Sequence, residues 1–293
     1  VICCNACKMF YRRAIKSKSR KCPGCNSRKC RYCRFQRCIS AGMRIPNSCL
    51  KSLLAILLRL NQDRENKLSN GYHHHTENLS IHEVIGNPAP ITFVAKPKYI
   101  KMNVAEWELM IALTSVDYLK KVEFMKLLDS EDRSILLRKG YPSFSLFALA
   151  HQSFDKMGQS YMSLPDTLEV IPTLQDRGEM LERSIKFRLT GRIKDLQVTK
   201  EEFLLLTMVF FCNTGLADLS ETGKHLIDTN KHFFSSALLV YCRQTYSENG
   251  PTRFADLLSL SHVVAKTSDD MSTHQFLFSI KYPHLTYTNV FGQ

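Results

Sequence analysis

The chain has 293 residues, 44% of them hydrophobic, which allows one or two domains with a sizeable core. Lys and Arg outnumber Asp and Glu by 40 to 27, and the formal charge of +13 arises entirely within residues 1–44, which hold no acidic residue. The longest apolar runs, such as residues 203–212, are too short to span a bilayer, and the basic beginning has no signal-peptide core, which argues against membrane and secreted proteins. Seven of the eleven cysteines lie within the first 33 residues, which favours zinc in a reducing compartment. We therefore expect a soluble intracellular protein.

The basic block contains two C-x2-C pairs separated by only four residues. Cys22 and Cys25 form one pair, and Cys30 and Cys33 form the other. Zinc takes four tetrahedral thiolate or imidazole ligands, and one C-x2-C turn supplies two of them. The two pairs predict one complete Cys4 zinc site. The alternative, cysteines without metal, leaves a segment with so few aliphatic residues no means of folding.

A third pair, Cys4 and Cys7, has no upstream partner pair, because only three residues precede it. Cys3 is a poor substitute for the missing ligands. Two expectations stay open: the ligands belong to a longer parent chain, or this first site is defective. The sequence thus predicts one complete zinc site and a second that is incomplete in this chain.

The segment after Cys4 predicts a helix with two different faces. At i, i+3, i+4, i+7 and i+8 it carries Asn5, Lys8, Met9, Arg12 and Arg13, whereas Cys7, Phe10, Tyr11, Ala14 and Ile15 form the opposite side. An α-helix fits the major groove of DNA, where Lys and Arg donate to guanine and Asn bridges adenine. We interpret it as a DNA recognition helix; the alternative is a basic face that only contacts solvent.

A second helix is predicted from about Arg31. Its apolar residues Tyr32, Phe35 and Ile39 can pack on the first helix, and Cys38 is expected in the core. Arg31, Arg34 and Arg37 are expected to face outward and contact phosphates, which position a protein on DNA without reading its sequence. Affinity for duplex DNA should then fall with salt, by a log-log slope of roughly −0.9 per phosphate contacted.

Residues 45–100 are predicted to be a hinge or linker with one helix, at residues 50–64. A polar loop follows, and residues 86–100 contain three prolines and a glycine, which favour extended or turn structure. The histidines of this region, His73, His74, His75 and His82, are candidates for a metal site or, as adjacent histidines in a polar loop usually are, solvated side chains.

Residues 101–293 are predicted to be mostly helical, because apolar residues recur there every three or four positions. Several runs begin with Ser, Thr or Asp and an acidic residue, as helix N-termini do. In the stripe from Trp107 to Met125, the residues Met110, Thr114 and Tyr118 either line an apolar ligand pocket or fill the core. No nucleophile with a base partner, phosphate loop or open metal site is evident, so the chain is not expected to be an enzyme.

These motifs resemble those of a known family. CNACKMFYRR resembles the C-x-x-C-K-x-F-F-x-R segment of nuclear hormone receptor DNA-binding domains, and residues 30–43 resemble their closing C-R-x-C-R-x-x-K-C-x-x-x-G-M. The resemblance implies that Cys4 and Cys7 are the last ligands of a first zinc, and that Cys22, Cys25, Cys30 and Cys33 hold the second. It further implies that Asn5, Ala6 and Met9 set the half-site preference, with Lys8 and Arg13 as base contacts. The second finger is shorter than usual in the loop that commonly makes the dimer contact.

Downstream, residues 120–138 are similar to the ligand-binding domain signature of the same family. The resemblance implies that Lys120 clamps a coactivator helix, and that Arg133 stands where Gln is usual. The final segment has Asn289 before Val290 and Phe291, without the glutamate that completes the family's coactivator groove. The whole layout looks most like the divergent receptors expanded in nematodes.

The predicted architecture is mostly α. It comprises a zinc-finger DNA-binding domain at 1–44, a hinge at 45–100, and an all-α helical-sandwich ligand-binding domain at 101–293. The predicted function is a nuclear, sequence-specific transcription factor that binds double-stranded DNA, transcriptional coregulators and a small lipophilic ligand, as a homo- or heterodimer. The alternative is a ligand- or partner-binding regulator that no longer binds DNA, because its first zinc site is incomplete.

Overall fold

The computed structural model of the chain describes residues 5–16, 30–40, 47–73, 81–97, 99, 101–174, 178–213 and 215–284. Within these ranges the regular structure is almost entirely helical, which confirms the mostly α fold class. The α-helices are α1 (Asn5–Lys16), α2 (Arg31–Ser40), α3 (Asn47–Asn70), α4 (Ile81–Gly86), α5 (Val104–Lys120), α6 (Ser130–Asp155), α7 (Glu179–Asp195), α8 (Lys200–Phe211), α9 (Glu221–Tyr246) and α10 (Gly250–Lys281).

The helix starts that the sequence predicts are capped in the structure. Asn103 Oδ1 accepts from the backbone N–H of Glu106 at 3.0 Å, while Glu106 Oε2 accepts from that of Asn103 at 2.8 Å, a reciprocal capping box at the start of α5. Thr199 and Glu202 form the same box before α8. These bonds satisfy backbone donors that would otherwise be unpaired in the first turn.

Helix α6 lies at the centre of the helical body. It contacts α4 and α5 on one side, α7 and α10 on another, and α8 along its length. Helix α8 in turn packs against α3 and α9, and α9 packs against α10. The core between them is apolar and aromatic; Phe147, for example, packs against Phe203 with ring centroids 5.2 Å apart.

Helix α3, which the sequence analysis placed in the linker, is longer than predicted and packs against α5 and α8. Leu57 and Leu68 are each only 2% exposed. At its end, Lys67 Nζ lies 2.8 Å from an Asp117 carboxylate oxygen, and Lys121 Nζ lies 2.7 Å from the same oxygen. Apolar packing and ion pairs thus attach α3 to the helical body.

Two short strands, β1 (Gly71–Tyr72) and β2 (Val94–Ala95), pair antiparallel within the region for which prolines predict extended structure. Gly71 pairs with Ala95, and Tyr72 pairs with Val94. The ladder brings together the two ends of a long loop that contains α4.

The stripe from Trp107 to Met125 is buried as predicted, but it is not one helix. Helix α5 ends at Lys120, and a 3₁₀ helix, Glu123–Leu127, continues the buried surface. Arg133 stabilises this turn, because its guanidinium donates to the carbonyl oxygens of Met125 at 3.0 Å and Leu128 at 2.9 Å. The change of helix type leaves the charged end of Lys120 beside α4.

Candidate DNA interface and helix-binding groove

Helices α1 and α2 pack through aromatic side chains. Tyr11 of α1 is 2% exposed, and its ring stacks on Phe35 of α2 with centroids 5.4 Å apart. Burial, the largest cause, raises the pKa of the Tyr11 hydroxyl to about 12. The structure therefore places the predicted apolar side of α1 against α2.

The opposite side of α1 is open. Met9 is 46% exposed and Arg13 is also exposed, on the face that the sequence assigns to DNA. The side chains of Asn5, Ala6, Lys8 and Arg12 lie outside the part of the chain that the structure describes. Where α1 is described, its surface is thus divided into an aromatic face and a basic one, as a recognition helix requires.

The three arginines of α2 do not behave alike. Arg31 and Arg37 are exposed, as predicted. Arg34 is only half exposed, and its guanidinium lies 4.3 Å from the centre of the Phe10 ring. The expectation that Arg34 faces outward was therefore wrong, because a cation–π contact with α1 holds it at the interface between the two helices.

The described cysteines occupy the positions that a zinc site needs. Cys30 immediately precedes α2, Cys33 lies buried in its first turn, and Cys7 lies in the first turn of α1. Cys4, Cys22 and Cys25 lie outside the described residues, within which no group of three His, Cys, Asp or Glu could hold a metal. Two thiols one turn apart at the start of a helix fit half of a Cys4 donor set. Cys38 is 7% exposed, in agreement with its predicted place in the core.

The histidine candidates are only partly described. His73 Nδ1 lies 2.8 Å from the carbonyl oxygen of Thr92, and His82 is exposed on α4, whereas His74 and His75 lie outside the described residues. The bond from His73 supports a side chain that links the two ends of the loop, so the solvated-loop interpretation needs no metal.

Lys120, the predicted coactivator clamp, is already bound within the chain. Its Nζ donates to the carbonyl oxygens of Val84 at 2.6 Å and Asn87 at 2.7 Å, at the C-terminal end of α4. Burial, the largest cause, lowers the pKa of the Lys120 ammonium. Ile85 of α4 is 3% exposed, and α4 contacts both α5 and α6.

The sequence analysis missed α4, although a signal was present. Ile81, Val84 and Ile85 have the i, i+3, i+4 spacing of one helical face, but a helix of six residues is too short to show a full period. The prolines that follow it drew attention to extended structure instead.

The three residues proposed for a ligand pocket are all buried in α5. Met110 is 2%, Thr114 0% and Tyr118 1% exposed. Thr114 Oγ1 donates to the Met110 carbonyl oxygen at 2.7 Å, and the Tyr118 ring stacks on Phe144 with centroids 5.0 Å apart. Core packing accounts for them without a ligand, and a ligand role stays a prediction.

Two cavities lie elsewhere in the helical body. One, of about 140 Å³, lies between α6 and α8 and is lined by Gly140, Phe144 and Phe211 among others. The other, of about 340 Å³, is more open and lies among the ends of α8, α9 and α10 beside Phe210, Lys231 and Val264. Neither is lined by Met110, Thr114 or Tyr118.

The acidic residues that begin α6 are structural. The Asp129 side chain accepts the backbone N–H of Asp132 at 2.8 Å and caps the helix. The Asp132 carboxylate accepts the backbone N–H of Ser220 at 2.8 Å and the Ser220 hydroxyl at 2.6 Å, and thereby links α6 to the start of α9. No helix of the described chain is both long and apolar enough to cross a membrane.

Comparison with known proteins agrees with both regions. Residues 95–281 match the family model for the ligand-binding domain of nuclear hormone receptor, and residues 1–45 match the double treble clef zinc finger of C4 type.

Relatives match along most of the chain. Nuclear hormone receptor family member nhr-9 of Caenorhabditis elegans is 35% identical over 98% of this chain and 89% of its own length. Member nhr-167 of the same nematode is 30% identical over 96% and 88%, respectively. Member nhr-27 is 36% identical over 66% of this chain and 56% of its own length. The chain therefore belongs to the nuclear hormone receptor family, in its nematode form, and is of the transcription-factor type rather than an enzyme.

Proposed function

We propose that this receptor binds specific double-stranded DNA through α1 and regulates transcription in the nucleus together with coregulators that dock beside Lys120. The observation that carries the DNA-binding proposal is the division of α1 into two faces. Tyr11 is buried against Phe35 of α2, while Met9 and Arg13 are exposed on the other side. Lys8 belongs to the same predicted face as Arg13, and exposed Arg31 and Arg37 are proposed to contact phosphates.

Zinc is proposed to support this arrangement. Cys30 and Cys33 at the start of α2, with Cys22 and Cys25, would form the complete Cys4 site, and Cys4 and Cys7 would contribute half of another. Bound zinc supplies four strong bonds to a segment with little apolar core, which is folding free energy rather than reaction chemistry. The chain's own residues then orient α1 through Tyr11, Phe35 and the contact of Arg34 with Phe10.

We also propose that the helical unit begins at α3 rather than near residue 100. Buried Leu57 and Leu68 support this boundary, as does the ion pair between Lys67 and Asp117. The hinge would then be the short stretch between α2 and α3. Control by a small apolar ligand and assembly as a dimer remain predictions of the sequence.

The DNA proposal is tested by fluorescence anisotropy of the zinc-loaded chain on labelled duplexes that contain nuclear-receptor half-sites or scrambled sequences. We expect at least tenfold preference for one half-site, and a steep loss of affinity with salt. Lys8→Ala with Arg13→Ala should lower affinity for the preferred duplex by about 10- to 100-fold, since each base contact contributes about 1–3 kcal/mol of discrimination.

Lys51→Ala with Arg59→Ala is the matched control, because it removes two exposed cations from α3 instead of α1. Zinc content, measured on the same samples, should lie near one per chain if only the complete site is occupied. A chain with one zinc, no half-site preference and no effect of the α1 substitutions would overturn the proposal. That result would favour the alternative of a partner-binding regulator without DNA binding.

A further inference from the structure

Helix α4 is too short to be stable by itself. It has six residues, whereas isolated helices shorter than about 12–15 residues are marginal in water. Its conformation must therefore come from the surface on which it lies, which is formed by α5 and α6.

The contacts of α4 are those of a bound amphipathic helix. Ile85 is 3% exposed, and Ile81 and Val84 are half-buried against the core, whereas His82 and Glu83 point outward. The three apolar residues have i, i+3, i+4 spacing, so that they form one face. Short helices bind to protein grooves through anchors with this spacing.

Lys120 completes the arrangement at the C-terminus of α4. Its Nζ donates to Val84 O at 2.6 Å and Asn87 O at 2.7 Å. Carbonyl groups of the last turn have no partner within their helix, and they carry the negative end of its dipole. A half-buried lysine at this position recognises the end of a helix rather than a particular side chain.

The neighbouring lysines are used differently. Lys67 and Lys121 both pair with Asp63 and Asp117. Lys120 has no carboxylate partner among the ion pairs of the described residues, and its bonds there are to carbonyl oxygens of the α4 segment. A helix from another protein could offer Lys120 the same acceptors.

The loop that holds α4 is closed at its base. The pairing of Tyr72 with Val94 and of Gly71 with Ala95 fixes both ends, and Lys96 N–H donates to Asn70 O at 2.8 Å. Release of α4 therefore requires no separation of β1, β2 and the helical body. While the loop is closed, α4 faces its surface at an effective concentration of about millimolar, as for other short tethers.

We propose that α4 is an in-chain occupant of the coregulator groove, which a partner helix with branched aliphatic residues at i, i+3 and i+4 must displace in order to bind. The inference rests on the proposed coregulator surface at Lys120 and adds its regulation. Because the groove is free only in the fraction of molecules whose α4 is released, apparent affinity for the partner is reduced by that fraction.

The test uses a fluorescein-labelled peptide with the sequence of residues 78–89 as the probe, and the full zinc-loaded chain as the receptor. Ile81→Ser, Val84→Ser and Ile85→Ser together remove the apolar anchors of α4 and leave the groove unchanged. We expect this triple variant to bind the peptide at least tenfold more tightly than the unmodified chain does. Lys120→Ala in the triple variant should abolish the gain.

Two controls isolate the cause. Glu83→Ala changes the outward face of α4 and should leave peptide affinity at the unmodified value. Lys126→Ala removes a lysine that is exposed and lies near the groove in sequence, and it should leave the tight binding of the triple variant intact. A peptide with serine at the three anchor positions should bind to none of the chains.

Hydrogen exchange on the unmodified chain provides a second measurement that does not depend on folding of the triple variant. Saturating peptide should speed the exchange of residues 81–86 while α5 stays protected. Equal peptide affinity for the unmodified and triple-serine chains, or bound peptide with unchanged exchange at 81–86, overturns the occupancy of the groove by α4 and leaves the groove itself standing. If the peptide binds to neither folded chain, the Lys120 groove is overturned as well, whereas the DNA-binding test is unaffected.

Discussion

Glu108 of α5 is a buried carboxyl group without compensation. It is 2% exposed, and its Oε1 has no hydrogen-bond partner among the described residues. Burial raises the pKa of Glu108 to about 8, because ionisation in the core would cost its solvation. Asp117, one face further along the same helix, is also buried but has two lysines within 2.8 Å. The difference between the two acids lies in their neighbours.

The pKa of Glu108 predicts how stability depends on pH. Between the unfolded pKa near 4.5 and the folded value of about 8, the unfolded chain loses its proton while the folded chain keeps it. The folded state thus binds more protons, and this group makes folding less stable as pH rises through that window. Glu108→Gln keeps the shape and cannot ionise. We expect its melting temperature to exceed that of the unmodified chain by more at pH 8 than at pH 5.

The expected gain at pH 8 is on the order of 1–3 kcal/mol, since each unit of pKa shift corresponds to about 1.4 kcal/mol. Thermal denaturation followed by circular dichroism at a series of pH values measures it. Glu123→Gln is the control, because that side chain is exposed and should show the same small effect at every pH. A Glu108→Gln difference that does not change with pH would contradict the buried-acid explanation.

At the scale of helices, α6 and α9 approach closely where both begin. Asp132 of α6 accepts two hydrogen bonds from Ser220, which itself caps α9 by accepting the N–H of Gly223 at 2.9 Å. A Cβ atom on Gly223 would lie 2.1 Å from Asp132 Oδ2. The glycine is required by this close approach, and the carboxylate fixes the two helix starts together.

Gly223→Ala should therefore lower the free energy of unfolding by about 2–4 kcal/mol, because the Asp132 carboxylate must leave Ser220 or the helices must separate. Gly191→Ala in α7 is a matched control, since its added Cβ meets nothing within 4 Å. There the exchange should stabilise the helix by about 0.5–1 kcal/mol. Urea denaturation of both variants measures the two values, and equal effects would refute a specific role for the close approach.

The sequence predicts long helices better than short or partnered features. Asn103 with Glu106, and Thr199 with Glu202, mark helix starts through local chemistry, and the apolar period identifies the buried stripe of α5. Helix α10 runs to Lys281, well beyond its predicted end near residue 266, because polar residues in its second half weaken the period. Helix α4 has no such period, since contacts with distant parts of the chain hold it.

The candidate site shows the same limit. The spacing of cysteines and basic residues predicts the faces of α1, and Tyr11 and Arg13 lie where expected. The placement of Arg34 on Phe10 and the bonds from Lys120 to α4 could not be read from spacing, because each joins residues that are far apart in the chain or on different helices. Side-chain partners across elements are decided by packing geometry.

At the scale of the whole molecule, the charge and the core are divided between two regions. The excess positive charge lies entirely within residues 1–44, and the apolar core extends from α3 to α10. Helices α1 and α2 contact each other through Tyr11 and Phe35, and α2 also contacts α9. The aromatic contact alone is a small core, whereas the helical body has many buried side chains that no cysteine pair supports.

Removal of zinc should therefore affect the two regions unequally. With a strong chelator, we expect DNA binding to be lost and the amides of α1 and α2 to exchange rapidly, because ligation supplies most of the folding free energy of a small zinc module. The amides of α5, α6 and α8 should stay protected, and the main thermal transition should shift by only a few degrees. Hydrogen exchange with mass spectrometry, before and after chelation, measures both regions in one sample. Cys33→Ser should reproduce the effect of the chelator, whereas Cys242→Ser, in the buried face of α9, should instead weaken the helical body and spare DNA binding. Loss of protection across α5, α6 and α8 on chelation would show that the helical body depends on the zinc module, contrary to this division.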